Sequence, residues 1–232
     1  MENNIVTAQR RVLNAVRTLR DPNLYLVGGT ALALRFHHRL SEDLDFFTQS
    51  WSRQLPKRIA ERIRTKTGFP GRLINETVKP GLAKIAIYNF QVSKKLILKV
   101  DVVEDFERLL LPIGKDGIAS VDDIYLRKIR AAIGWMGKIS SIGRPMPGGR
   151  QAARDLYDLW YLSEHQASLS IWFPQHFGRE DYERLTGWLQ RMTTQATILE
   201  LMNTAPGCDT RRIRQHLENQ IFDRLNRIYM RP

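Results

Sequence analysis

The sequence predicts an α+β protein in two lobes, a sheet-bearing N-terminal lobe over residues 1–112 and a helical, basic lobe over 113–232. Three observations predict it. Short apolar segments of strand character alternate with helical periods up to Val103, helical periods take over beyond Leu111-Pro-Ile-Gly114, and Asp43 and Asp45 alternate with Leu44 and Phe46 as a half-buried strand requires. A chain of 232 residues can fill one large domain or two small ones packed closely.

Val6 to Leu19 carries Val12, Leu13, Val16 and Leu19 at helical spacing with Arg10, Arg11, Arg17 and Arg20 between them, and Asp21-Pro22 ends this helix. Leu24 to Val27 follows as a short strand or extended entry, Thr30 to Phe36 as a helix and Asp43 to Phe47 as a buried strand. Leu55, Ile59 and Ile63 restore the helical period over Ser52 to Thr67. Arg72 to Val78, Leu82 to Phe90 and Lys95 to Val103 form an antiparallel meander, broken at Lys79-Pro80-Gly81 and around Ser93-Lys94. The second lobe places helices near Ser120 to Met136, Arg150 to Glu164, Arg179 to Gln190, Gln195 to Met202 and Asp209 to Tyr229. Gly143 to Gly149, rich in Gly and Pro, is expected to be a mobile loop between the first two. In the last helix Ile213, Leu217, Ile221, Leu225 and Ile228 make one core stripe. Arg211, Arg212, Arg214, Arg224 and Arg227 are then a solvated face first and an RNA surface second.

Composition narrows the class. With 43% hydrophobic and 26% charged residues the chain has the profile of a soluble globular protein. No apolar run approaches bilayer length, and Met1-Glu-Asn-Asn-Ile5 lacks the basic start and apolar centre of a secretory signal, so a cytoplasmic location without membrane contact is expected. The single cysteine, Cys208, excludes an intrachain disulfide and a cysteine zinc cluster. Lys and Arg number 36 against 24 Asp and Glu, a net charge of +12. This excess points to a polyanionic partner such as nucleic acid, with general solubility as the plain alternative.

The chemistry concentrates in Leu24-Tyr-Leu-Val-Gly-Gly-Thr30 and the acids that follow it. Carboxylates at i and i+2 of a strand share one face. Beyond a Gly28-Gly29-Thr30 turn, Asp43 and Asp45 can hold a divalent metal while backbone amides and the Thr30 hydroxyl receive phosphate oxygens. That pairing points to nucleotidyl transfer. Leu96 to Val103 is apolar except for Lys99 and Asp101; an acid in such a strand needs a partner or a metal, which makes Asp101 the third carboxylate. Lys128 lies four residues from Ile124 and Ala132, on a partly apolar stripe that suits a positioned cation. His37 and His38 diverge on any regular element and have no third ligand, so they are read as loop residues with Arg39 at the site entrance. Trp135, Tyr157 and Trp160 have helical spacing and are read as core before base-stacking platforms.

In order, Gly28-Gly29-Thr30, Asp43-Leu-Asp45-Phe-Phe, Lys99-Val-Asp101, Lys128-Ile-Arg-Ala-Ala and Arg154-Asp155-Leu-Tyr-Asp158-Leu resemble the AbiEii/AbiGii toxin group of nucleotidyltransferase-fold proteins over Leu24 to Leu162. The resemblance implies a nucleotidyltransferase-like N-terminal lobe with a mixed sheet flanked by helices. It implies Asp43, Asp45 and Asp101 as ligands of Mg2+ or Mn2+, Asp101 also orienting or deprotonating the acceptor hydroxyl, and Gly28, Gly29, Thr30 and Lys128 on the phosphates of a nucleoside triphosphate. Thr30 stands where many members of the wider fold have serine. Asp155 would be the helical acid that assembles the site, whereas Asp158 has an ordinary alternative in pairing with Arg154 four residues before it. The expected activity is transfer of a nucleoside monophosphate onto a macromolecule, RNA and tRNA in particular, by a toxin restrained by an antitoxin. Transfer to a protein hydroxyl or a small molecule such as an antibiotic is the second reading, and a catalytically silent nucleic-acid-binding module the third.

Overall fold

The computed structural model describes residues 2–78, 83–134 and 149–230. Lys79-Pro80-Gly81, Trp135, Met136 and the loop positions before Gly149 lie outside the described residues. Inter-residue contacts divide the chain into two compact units, Met1–Ile124 and Tyr125–Pro232.

The first unit runs α1 (Glu2–Arg17), β1 (Leu24–Val27), α2 (Gly28–Phe36), β2 (Leu44–Thr48), α3 (Leu55–Thr67), β3 (Gly71–Thr77), β4 (Ile85–Ser93) and β5 (Leu96–Glu104). Its five strands form one sheet in the order β1-β2-β5-β4-β3. β3, β4 and β5 are the antiparallel meander, whereas β2 and β5 run parallel. The sheet is therefore mixed. Parallel pairing of β2 with β5 requires a long crossover, and α3 with the β3–β4 hairpin supplies it.

Alternation divides this sheet into two faces. Leu44, Phe46, Leu98, Val100 and Val102 are buried on one, each large apolar side chain contributing about 1.5–3 kcal/mol by leaving water. α1 packs against β5 and α3. Arg11 reinforces that packing: its guanidinium stacks 4.5 Å from the Phe69 ring centre and donates to the Thr67 carbonyl at 2.7 Å. A basic helical position has thereby become a structural brace. The β1 edge is covered by the chain around Gly117, through Leu26 N–H to Gly117 O at 2.9 Å and Ala119 N–H to Leu26 O at 3.0 Å.

The second unit contains most of α4 (Val121–Ile133), with α5 (Ala153–His165), α6 (Leu169–Trp172), α7 (Arg179–Met192), α8 (Gln195–Thr204), α9 (Thr210–Glu218) and α10 (Asn226–Tyr229). α6 continues into a 3-10 turn at Phe173–Gln175, and Trp172 stacks on Tyr125 at 4.5 Å. A π-helical stretch, Asn219–Leu225, joins α9 to α10. Its wider turns change the phase of the last helix. Ile213, Leu217, Ile221 and Leu225 are buried as the stripe requires, but Ile228 is 53% exposed. Tyr229 turns inward in its place, donating to the Phe177 carbonyl at 2.6 Å and stacking on Tyr182. Among the described residues no helix is long and apolar enough to cross a membrane.

Candidate active site

Strand register creates the acidic face. Val27, the last residue of β1, lies opposite Asp45, and Asp45 is in turn the register partner of Asp101 on parallel β5. Register partners on parallel strands present their side chains to the same face, opposite the apolar layer. The chain leaves β1 through Gly28 at φ +78°, where a Cβ would stand 2.5 Å from Asp45 Oδ2. Glycine here serves both the left-handed backbone and the close approach of the acid. At Gly29 a Cβ would run into the Arg39 guanidinium, so Arg39 closes over the bend.

Thr30 is buried, and its hydroxyl donates to the Asp43 carbonyl and lies 2.8 Å from Ser41 Oγ. The Thr30 side chain thus fixes the backbone that presents Asp43. No side chain caps the start of α2, and its first turn carries no acid. Its leading amides keep the partial positive charge of a helix N-terminus.

A lysine sits among the acids. Lys99, two residues before Asp101 and on the same face, places Nζ 2.7 Å from Asp101 Oδ2 and 3.6 Å from Asp43 Oδ2. Burial opposes the Lys99 charge, but the hydrogen bond and charge of Asp101, with the charges of Asp43 and Asp45, outweigh it and hold its pKa above the ordinary value. Asp101 shifts upward. Burial is the main cause and Asp43 adds to it, against the pull of Lys99. Asp101 Oδ1 is buried and without a hydrogen-bond partner. Asp43, Asp45 and Asp101 all act on Lys99, so the surroundings of this face favour a cation. Hard oxygen donors with an unpartnered buried oxygen suit Mg2+ or Mn2+. Among the described residues no three His, Cys, Asp or Glu side chains are already gathered as a metal-ligand group; Lys99 bridges the carboxylates instead.

The second unit holds its own charged cluster. Lys128 on α4 and Asp155 and Asp158 on α5 are buried. Lys128 Nζ lies 2.9 Å from Asp155 Oδ1 and 2.6 Å from Asp158 Oδ2. Asp158 therefore pairs with Lys128, where the sequence alone suggested Arg154. Arg150 grips Asp155 with two bonds, Nε to Oδ2 at 2.5 Å and Nη2 to Oδ1 at 2.6 Å. Burial pushes the Asp155 carboxyl up, but Lys128 and Arg150 together bring it below its ordinary range. The ammonium of Lys128 is enclosed by the carboxylates, while the Arg150 side chain is 48% exposed.

Ser163, His216 and Glu164 also line up, with Ser163 Oγ 2.8 Å from His216 Nε2 and His216 Nδ1 2.7 Å from Glu164 Oε2. Ser163 is buried and its oxygen accepts from Leu169 N–H at 3.1 Å, so this row braces α5 against α9 and presents no accessible nucleophile. Burial lowers the His216 pKa, Glu164 notwithstanding.

The sequence-predicted residues thus fall in two groups. Gly28, Gly29, Thr30, Asp43, Asp45 and Asp101 meet in the sheet unit; Lys128, Asp155 and Asp158 meet in the helical one. His37 takes a left-handed turn after α2, at φ 53°. Tyr157 is buried against Trp160, with ring centres 5.3 Å apart. Sequence reasoning left two charged partners without roles. Lys99 carried a signal, its i, i+2 spacing from Asp101, but Arg150 carried none because its link to Asp155 depends on chain geometry.

The family described as nucleotidyl transferase AbiEii toxin, type IV TA system, matches residues 11–224. A crystal structure from H. pylori, solved as that of a candidate nucleotidyltransferase, shares 18% identity at a TM-score of 0.58, covering 98% of this chain and 99% of that one. The structure of JHP933 from Helicobacter pylori shares 18% identity at 0.54, covering 96% and 93%. At this identity the likeness is one of fold. No curated protein matches the chain in sequence.

Proposed function

Because the chain belongs to the AbiEii nucleotidyltransferase toxin family of type IV toxin–antitoxin systems, we propose that it transfers a nucleoside monophosphate from a triphosphate to RNA, tRNA being the preferred acceptor. The observation that carries this reading is the register of Asp45 with Asp101, on one sheet face with Asp43 and beside the Gly28 bend. In the transfer an acceptor hydroxyl attacks the α-phosphorus, the α–β bridging bond breaks, and pyrophosphate leaves. Asp43, Asp45 and Asp101 are the residues that would hold Mg2+ or Mn2+, which when bound supplies positive charge to the entering and leaving oxygens.

The chain's own groups divide the remaining work. Asp101 receives the acceptor proton, a role favoured by its upward-shifted carboxyl and unpartnered Oδ1. Gly28 and Gly29 let phosphate oxygens approach the first amides of α2. Thr30 acts from behind, holding Asp43 by its carbonyl. In the helical unit Lys128 and Asp155 form a buried pair that also holds Arg150. The net charge of +12 supports a polyanionic acceptor, and the family's toxin–antitoxin character supports a cognate antitoxin as partner.

Incubation with α-labelled nucleotides, magnesium and total RNA tests the proposal. Label enters RNA with the wild-type protein, and Asp43→Ala lowers the yield at least about 100-fold. Label in a protein band or an organic-soluble product moves the acceptor to another class. Transfer unchanged in the variant overturns the assigned site.

A further inference from the structure

We propose that Lys99 is a resident counter-cation that keeps the free protein from loading metal and yields its place when nucleotide arrives, so that metal and nucleotide enter together. The inference rests on the assignment of Asp43, Asp45 and Asp101 as the metal-binding acids.

Lys99 Nζ contacts one oxygen on each of two acids of the cluster, Asp101 Oδ2 at 2.7 Å and Asp43 Oδ2 at 3.6 Å. An ammonium and a doubly charged ion repel at such separations, so a metal among these acids disfavours Lys99 in the same place. Entry of metal therefore exchanges one cation for another. The ion must first displace an established pair.

Lys99 has somewhere to go. Its side chain is 37% exposed whereas that of Asp101 is 10% exposed, so the lysine stem can swing outward while the acid remains anchored in β5. A bound triphosphate supplies an anion that the withdrawn ammonium can meet outside the carboxylate cluster. Nucleotide phosphates thus stabilise the displaced lysine, and metal affinity rises when they are present. β5 contains a natural comparison, since Lys84 pairs with Glu104 at the end of that strand at 2.7 Å. Removing Lys84 changes the net charge equally without vacating the acidic cluster.

Binding of Mn2+ measured by electron paramagnetic resonance, with and without a non-hydrolysable nucleoside triphosphate, tests the exchange without reference to turnover. Lys99→Met is expected to bind Mn2+ about tenfold more tightly than wild type in the absence of nucleotide. Lys84→Met should stay within about twofold of wild type. Nucleotide should strengthen Mn2+ binding in wild type and do so less in Lys99→Met. Equal affinities in wild type and Lys99→Met, or equal gains in both lysine variants, overturn the exchange while leaving the acidic site in place. Mn2+ binding that Asp45→Asn and Asp101→Asn leave untouched overturns the site assignment, and the exchange with it.

Discussion

Replacing Gly28 by alanine should damage both stability and the acidic cluster, and the two effects can be separated. The backbone term comes from φ +78°, where an L side chain costs about 1–2 kcal/mol. The contact term comes from the new Cβ at 2.5 Å from Asp45 Oδ2; turning Asp45 away from its rotamer costs about 0.5–1.5 kcal/mol. Gly28→Ala should therefore lose about 2–3 kcal/mol. In an Asp45→Ala background the offending oxygen is gone and the backbone term alone remains, so the double-mutant cycle should show a coupling of about 1 kcal/mol. Urea unfolding of the four proteins measures this directly. Label transfer by Gly28→Ala should also fall by up to about 100-fold, since small misplacements of a reacting group carry penalties of that order. If alanine at 28 costs the same with and without the Asp45 carboxylate, the acid does not rest against the bend and the account of Gly28 is wrong.

Lys128→Met should lower the unfolding free energy by about 3–5 kcal/mol, because removing the cation destabilises carboxylates buried in its company. A loss below about 1 kcal/mol in urea unfolding would place Lys128 outside the structural network. His216 makes stability pH-dependent with a definite sign. Burial holds its folded pKa below the ordinary 6.5, so the unfolded chain binds the proton first; this contribution is complete above 6.5 and is lost as pH falls through that value toward the depressed one. Urea midpoints recorded from about pH 8 to about pH 5 should fall on acidification, and His216→Gln should flatten the part of the slope below 6.5. An unchanged slope in the variant would contradict the assignment.

Much of the sheet was legible because its signals are local. Asp43, Leu44, Asp45 and Phe46 announce a two-faced strand by alternation alone, and the apolar members are buried as that pattern requires. Leu24 to Val27 coincides with β1, and the meander strands end within a few residues of their expected limits. The parallel pairing of β2 with β5 was not legible: the resemblance implied only a mixed sheet, and no local period specifies which strands become neighbours. Ile228 shows a different limit. Its spacing continues the apolar stripe in an ideal helix, but the π-helical turns before it rotate the chain and expose it.

The charged residues show why alternation locates a site more readily than it assigns partners. A period of two says that Lys99 and Asp101 share a face and that Asp43 and Asp45 share one; it does not say that the two faces coincide, nor whether the lysine points to solvent or closes on the acids. That choice depends on the energy balance at the folded site. Asp101 lies in a strand buried on both sides of its own position, by Val100 and Val102, and cannot move to water without breaking β5. Lys99 has a flexible stem and approaches the fixed charge instead. The same asymmetry explains Arg154 and Lys128. Asp158 faces the buried side of α5, where exposed Arg154 is a poorer partner than an ammonium delivered from α4. In both clusters the acid is held by the backbone and the base comes to it, so acid positions follow from local pattern and their partners require the folded chain.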